Sequence, residues 1–239
     1  MAKSLFTGKK RHFVARAGDE HEKTAWRAGS TLAGVDEVGR GCLAGPLVAA
    51  AVELPIWATK SPETAILRDS KLMTERQRKI AHGWITEHCR YGVGIIHPRG
   101  VDSANIWQAT LLAMKRAMYG LLVNRQKKAN LRVILVDAMP LDLRDSCYDI
   151  PVLSFPKAEQ QSLSVAAASI LAKVTRDQLM AQLDRYFPAY GLAGHKGYAT
   201  AVHRTAILRD GHSLIHRLSF LRRMLEEGSE NGGTQQRLC

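Results

Sequence analysis

The sequence has little cysteine, and what it has is scattered. Cys42, Cys89, Cys147 and Cys239 form no C-x-x-C pair, which argues against a zinc site. Their spacing suggests no disulfide framework, so a reducing compartment is expected. Long apolar runs are missing too, and none reaches the roughly 18 residues that span a bilayer. Met1 to Ser30 is basic and polar, broken by acids, with no apolar signal core. Together these absences predict a soluble cytoplasmic protein with no membrane partner; a monomer is the separate expectation. Acid is short relative to base: 22 Asp and Glu stand against 34 Lys and Arg, a formal charge of +12. An excess that large favours a polyanionic partner, through neutralised phosphates and released counterions. It also fits a plain solvated surface, so any chemistry must be read from particular residues.

What is present is ordinary globular material. The 239 residues are 46% hydrophobic and 23% charged, enough for one sizeable core with a small second lobe. Residues 1–30 read as a flexible basic arm, with Lys9, Lys10, Arg11 and Arg16 in one half and Asp19, Glu20 and Glu22 in the other. Leu32–Val35, Leu47–Leu54 and Tyr91–Ile96 are strand-like, and Gly39–Pro46 supplies the first turn. Glu75–His88 has Ile80, Trp84 and Ile85 at helical spacing. Ser103–Leu122 is a stronger helix, with Ser103 as expected N-cap and Ile106, Leu111, Leu112, Met114 and Met118 on a buried face. Leu131–Val136 is the most strand-like segment and ends on Asp137; Pro151–Phe155 is a fifth strand. Ser162–Tyr186 is a long alanine-rich helix. The order predicts an α/β protein over 31–187, with one mixed five-stranded sheet flanked by helices. A small helical lobe over 188–227, with Ala201–Glu227 helical, and a disordered 228–239 tail complete it.

Asp36, Glu37 and Asp137 each close an apolar strand run. If the two strands are neighbours, the three carboxylates meet at one sheet edge. Adjacent strand residues face opposite ways, so Asp36 and Glu37 share a site only if the backbone distorts near Gly39 or the bound group sits off-axis. Clustered carboxylates repel and raise each other's pKa unless a cation neutralises them. Hard oxygens suit Mg²⁺ or Mn²⁺, and a pair of such ions supports in-line attack on a phosphodiester. One such aspartate alone would read as a cap; three beside a Gly39-Arg40-Gly41 turn in a basic chain read as a metal site. Glycines let the backbone approach a ligand closely, and backbone N–H and C=O groups can meet a ribose 2′-hydroxyl. The histidines His195, His203, His212 and His216 are irregularly spaced and read as packing or phosphate contacts. Arg204, Arg209, Arg217, Arg222 and Arg223 read as a backbone-tracking face, and Arg125–Lys128 as a solvated connection.

These residues carry a resemblance. Asp36-Glu37-Val38-Gly39-Arg40-Gly41-Cys42-Leu43-Ala44-Gly45-Pro46 resembles the signature of ribonuclease HII. Asp69-Ser70-Lys71-Leu72, Asn105-Ile106 with Ala113-Met114, Ala166 through Asp177, Tyr190-Gly191, His195-Lys196-Gly197-Tyr198 and His216-Arg217-Leu218-Ser219-Phe220 resemble its further blocks, in order, from about Leu32 to Phe220. The resemblance implies a ribonuclease H-like fold and four metal-binding carboxylates. Asp36, Glu37 and Asp137 fall on three of these. The fourth position falls at Lys157-Ala158-Glu159, where glutamate stands for the usual aspartate, with Asp142, Asp145 and Asp149 as competitors and Asp177 as a structural residue. The resemblance also implies that Gly39, Arg40 and Gly41 read the ribonucleotide, that Tyr198 stacks on the following sugar, and that Lys71 and Arg217 contact phosphate. The expected substrates are RNA–DNA hybrids and duplex DNA with embedded ribonucleotides, cut with divalent metal, two ions per site. The expected products carry 3′-hydroxyl and 5′-phosphate ends, in the service of ribonucleotide and primer removal. The remaining alternative is a basic nucleic-acid-binding module without catalysis.

Overall fold

The computed structural model describes residues 16–123, 130–144, 150–222 and 224. The first fifteen residues of the expected arm, the Arg125–Lys128 stretch, Asp145, Asp149, Arg223 and the 228–239 tail lie outside the described residues.

Strands β1 (Thr31–Val38), β2 (Leu47–Glu53), β3 (Arg90–Ile96), β4 (Leu131–Asp137) and β5 (Val152–Phe155) form one sheet in the order β3-β2-β1-β4-β5. The first three pair antiparallel as a meander; β4 and β5 join in parallel. Parallel strands need crossover connections, and helices supply them here. β2, Leu-Val-Ala-Ala-Ala-Val-Glu, is buried at every position, because helices cover both faces of the sheet. Ala33, Val35, Leu47, Ala49 and Ala51 pack to one side, and Val48, Ala50 and Val52 to the other.

The first helix corrects the flexible-arm expectation for residues 16–30. α1 (Glu20–Arg27) is docked, with Glu22 and Ala25 buried. α2 (Glu75–His88) starts with a capping box formed by Thr74 and Gln77. Ile80 falls outside its buried face and is 48% exposed, while Ala81, Trp84 and Ile85 are buried. α3 (Pro98–Val123) packs Ala113, Met114, Ala117 and Met118 under the sheet. Two expectations fail there. Leu112 points outward, and Ser103 is no cap, because its Oγ donates to the Arg99 carbonyl. The helix breaks instead at Asn105, with φ 61° and ψ 165°. Asn105 Oδ1 accepts from the backbone of Trp107 and Gln108, at 2.9 and 3.1 Å, so it is the side chain that starts the main helix.

α4 (Ala158–Gln161) is a single turn, followed at once by α5 (Leu163–Tyr186), which Ser162 caps. α5 lies almost on β1: a Cβ at Gly34 would stand 2.1 Å from the Val165 nitrogen. Only glycine allows that approach, and it fixes α5 over the strand that carries Asp36 and Glu37.

The lobe contains α6 (Leu192–His195) and α7 (Ala201–Asp210). The expected helix over 201–227 is interrupted, because Gly211 takes φ 76°. Helical backbone resumes at Leu218, where Asp102 accepts from the backbone of Leu218 and Ser219. Tyr190, Leu192, Ala206, Ile207 and Ile215 form the lobe core around Leu43 and Ala44 of the turn after β1. The lobe is thus built onto the Gly39–Pro46 loop. Among the described residues no helix is long and apolar enough to cross a membrane.

Candidate active site

β1 and β4 are parallel neighbours, paired from Thr31 to Val35 and from Leu131 to Val136. Their pairing stops one residue short of Asp36 and Asp137, while β1 stays paired with β2 through Val38. The sheet therefore splits where the acids begin. A crevice beyond the carboxyl ends of parallel strands is a usual place for a ligand. β1 keeps its regular pairing through Glu37, so no backbone distortion at Gly39 brings the acids together. Asp36 instead turns along its own chain, its Oδ1 accepting from the Glu37 nitrogen at 2.7 Å.

The acids act on one another electrostatically. Burial, followed by the Glu37 and Asp137 carboxylates, holds Asp36 well above the usual carboxylate range, opposed by a hydrogen bond from Ser169. Burial also raises Glu37; Arg40 opposes it and Asp137 adds to it. Arg40 Nη1 lies 3.5 Å from Glu37 Oε1. Asp137 Oδ1 accepts from the Ala158 nitrogen at 3.0 Å, so the third acid holds the turn that carries Glu159. Glu159 is raised by burial and by the Asp137 and Asp69 carboxylates. Asp142 is exposed and already paired: its carboxylate grips the Arg144 side chain at 2.6–3.1 Å, which lowers it to about 2. Asp177 pairs with Lys173 one helical turn earlier, at 2.8 Å.

Among the described residues no three His, Cys, Asp or Glu side chains close into a finished cation cage. The donor set nevertheless fits a hard divalent cation. Asp36, Glu37 and Asp137 act on one another, Asp137 also acts on Glu159, and Glu37 Oε2 and Glu159 Oε2 are buried with no hydrogen-bond partner. A buried carboxylate oxygen left bare is costly, and a cation is the partner that removes the cost.

The Gly39–Pro46 loop is held by two buried arginines. Arg217 Nη1 donates to the carbonyls of Gly39 (2.7 Å) and Arg40 (3.1 Å), and its Nε and Nη2 donate to Gly45 (3.2 and 2.9 Å). Arg176 donates to the carbonyls of Pro46, Ala44 and Lys196, at 2.9, 3.1 and 2.8 Å. Both are fully buried. Arg217 therefore fails as a phosphate contact: its fork is spent on the loop, which no surface residue could fix so rigidly. Gly39 has φ 92°, and a Cβ there would stand 2.3 Å from Arg176 Nε. Gly41 has open space where a side chain would be.

Lys71 is exposed in the 3-10 turn Ser70–Leu72, and its charge reaches Glu37 and Glu159. Tyr198 is 40% exposed, its ring 6.0 Å from the Arg176 guanidinium. Of the expected basic face, Arg209 is tied to Asp210, and Arg204 reaches the Ala199 carbonyl.

The histidines pack against each other. His195 stacks on His203 at 4.3 Å. His195 Nε2 donates to the Tyr190 carbonyl (2.7 Å), and its Nδ1 accepts from Gly197 (3.1 Å). His203 Nδ1 donates to the Tyr198 carbonyl (2.9 Å), and its Nε2 accepts from His216 Nε2 (3.2 Å). His216 Nδ1 accepts from Ser213 (3.0 Å). Each ring thus works as a neutral imidazole with one donor and one acceptor.

Sequence reasoning overlooked Ser169 and Arg176. They lie seven residues apart on α5, two turns along one face. Polar side chains at that spacing on an otherwise apolar face were the available signal. Ser169 Oγ bonds Ser70 Oγ at 2.9 Å, which ties the Asp69–Leu72 segment to α5.

Known proteins resemble this chain in sequence and fold. The family model for ribonuclease HII matches residues 33–223. A ribonuclease HII of Thermus thermophilus is 41% identical over 200 residues, 83% of this chain and 90% of the relative. That of Ruminiclostridium cellulolyticum is 44% identical over 196 residues, 82% of this chain and 71% of the relative. Among solved structures, ribonuclease H2 from Pyrococcus horikoshii shares the fold at TM-score 0.62 and 23% identity, covering 82% of this chain and 98% of that one. Bst-RNase HIII in complex with Mn²⁺ superposes at TM-score 0.61 and 26% identity, covering 84% and 71%. The chain belongs to the ribonuclease HII family and is a ribonuclease H-type endoribonuclease.

Proposed function

We propose that this ribonuclease H, beyond acting on RNA–DNA hybrids, cuts on the 5′ side of single ribonucleotides embedded in duplex DNA. The proposed products carry 3′-hydroxyl and 5′-phosphate ends, and the work is removal of stray ribonucleotides and RNA primers in the cytoplasm. The observation that carries the reading is the split between β1 and β4, where Asp36 and Asp137 end neighbouring parallel strands beside a loop clamped by two buried arginines. Asp36, Glu37, Asp137 and Glu159 would hold Mg²⁺ or Mn²⁺, two ions per site. Such ions, when bound, supply an activated water and charge stabilisation at the leaving oxygen.

The chain's own groups do the rest. The Glu37 nitrogen orients the Asp36 carboxylate, and the Ser169 hydroxyl favours its charged form. The Ala158 nitrogen does the same for Asp137. The Glu37–Arg40 pair draws the acids toward the loop. Arg217 and Arg176 hold the loop carbonyls, so the Gly39–Gly41 backbone meets the ribose in a preset shape and loses little entropy on binding. Gly41, without a side chain, lets the sugar come close. Lys71 offers positive charge to a phosphate next to the acids. The half-exposed Tyr198 ring suits the apolar face of a following deoxyribose, where a 2′-hydroxyl would crowd it.

The test uses a DNA duplex with one ribonucleotide, in Mn²⁺, Mg²⁺ and EDTA. The expected result is one cut, 5′ to the ribonucleotide, in either metal and none in EDTA. Duplex binding that survives EDTA without any cut in metal would contradict it, and would favour a binding module. Cleavage only within runs of ribonucleotides would contradict the substrate assignment alone.

A further inference from the structure

The family match begins at Ala33, yet the segment before it reaches the same site. Ala17 N donates to the Leu67 carbonyl (2.9 Å), two residues before Asp69. Gly18 N donates to the Gln160 carbonyl (2.8 Å), the residue after Glu159. A Cβ at Gly18 would stand 3.1 Å from the Gln161 carbonyl, so the two backbones nearly touch. Glu22 is 1% exposed. Its Oε1 accepts from Ser162 Oγ (2.6 Å) and from Ser164 N (2.9 Å), at the junction where α4 ends and α5 begins. Ala25 packs on Ala158 and Val165, and the His21 ring lies 5.6 Å from that of Phe155, the register partner of Asp137.

We infer that residues 17–25 are a positioning strap for Glu159, with Glu22 as the positioning residue. The inference rests on the proposed metal-ligand role of Glu159. α4 is a single turn, entered through Lys157 in the left-handed region at φ 59°. One turn does not hold itself in water, so its direction comes from what grips its ends. Asp137 grips the start through the Ala158 nitrogen. Gly18 and Glu22 grip the end. A carboxylate on the free N–H groups of a helix start is favoured by charge and by the helix dipole; Glu22 anchors there through Oε1 alone, its Oε2 being buried without a hydrogen-bond partner. Glu159 is one methylene longer than the aspartate expected there, so its carboxylate depends the more on where the turn is set.

The test is calorimetric Mn²⁺ titration of the full chain without substrate, run beside thermal melting. Glu22→Ala is expected to raise the Mn²⁺ Kd about tenfold, the scale of losing a group that orients a metal ligand. Cleavage is expected to return to the parent rate at saturating Mn²⁺. Glu22→Gln keeps an acceptor for Ser162 and Ser164 and is expected to restore the parent Kd. A lower Tm with unchanged Kd in Glu22→Ala would overturn the inference. If that variant does not fold, Glu22→Asp shortens the reach to Ser162 and Ser164 while leaving the Ser162 cap of α5 in place; a raised Kd supports the strap and an unchanged one overturns it. Glu159→Gln separates the two readings. Should it leave Mn²⁺ binding intact, the ligand role fails and the strap with it. Should it weaken binding while Glu22→Ala does not, only the strap fails.

Discussion

The carboxylates between β1 and β4 and the histidines of the C-terminal lobe are both buried clusters of titratable groups, built on opposite rules. In the histidine cluster every ring nitrogen of His195, His203 and His216 has a partner, and each ring is neutral. At the carboxylate edge like charges face each other, and two buried oxygens have no hydrogen-bond partner. A satisfied cluster needs nothing further and serves as structure. An unsatisfied one is retained at a cost to stability, as functional sites often are. The buried arginines repeat the lesson. Arg217 looks like a phosphate ligand by residue type, but its donors are already used, whereas the half-exposed Arg40 stands beside Glu37 with its side chain open to solvent.

The largest effect expected from this contrast is on the acids. Asp137→Asn keeps the hydrogen bond to Ala158 but removes a charge, and should lower cleavage at least about a thousandfold, the scale of losing transition-state charge stabilisation. Duplex binding, measured by fluorescence anisotropy, should persist. Arg217→Ala should lower stability by about 3 kcal/mol, because the Gly39, Arg40 and Gly45 carbonyls lose their shared donor. Urea unfolding measures this, and Arg217→Lys should rescue it only in part.

The two clusters should also separate by pH. Burial, then the His203 ring, holds His216 down at about 4, while an unfolded histidine titrates near 6.5. The unfolded state therefore takes up the proton first. The stability this ring contributes is complete above pH 6.5 and is lost as pH falls toward 4, by up to about 3 kcal/mol. Chemical denaturation of the parent across that range tests it, and His216→Phe should flatten the dependence. The smallest effect is at Tyr198. Tyr198→Ala should cut the preference for a single embedded ribonucleotide about tenfold, roughly the worth of one stacking contact, and leave Mn²⁺ binding unchanged. Competition between singly substituted and hybrid duplexes reads it directly.

Much of this was legible in the sequence because it depends on local pattern. The apolar runs before Asp36 and Asp137 are strands because they alternate or bury continuously, and acids that end such runs fall at one sheet edge once the strands pair. What was not legible depends on tertiary neighbours. Nothing local distinguishes Arg217, fully buried, from Arg209, which pairs with Asp210 at the surface. Ser103 and Asn105 are both acceptable caps, and the choice is made by the break at Asn105. The docking of α1 was hidden because Glu22 reads as a surface acid until Ser162 and Ser164, some 140 residues later in the chain, are placed beside it. The interruption at Gly211 follows from its positive φ, which the helical pattern around it masked.

The central claim is that the carboxylates at the ends of β1 and β4, and not the satisfied imidazoles, are where a divalent cation belongs. Mn²⁺ titration calorimetry of the parent, Asp36→Asn, Asp137→Asn and His195→Asn tests it most directly. The account predicts that both aspartate variants lose Mn²⁺ binding and that His195→Asn binds as the parent does. Binding that is unaltered in Asp137→Asn, or abolished in His195→Asn, would contradict it.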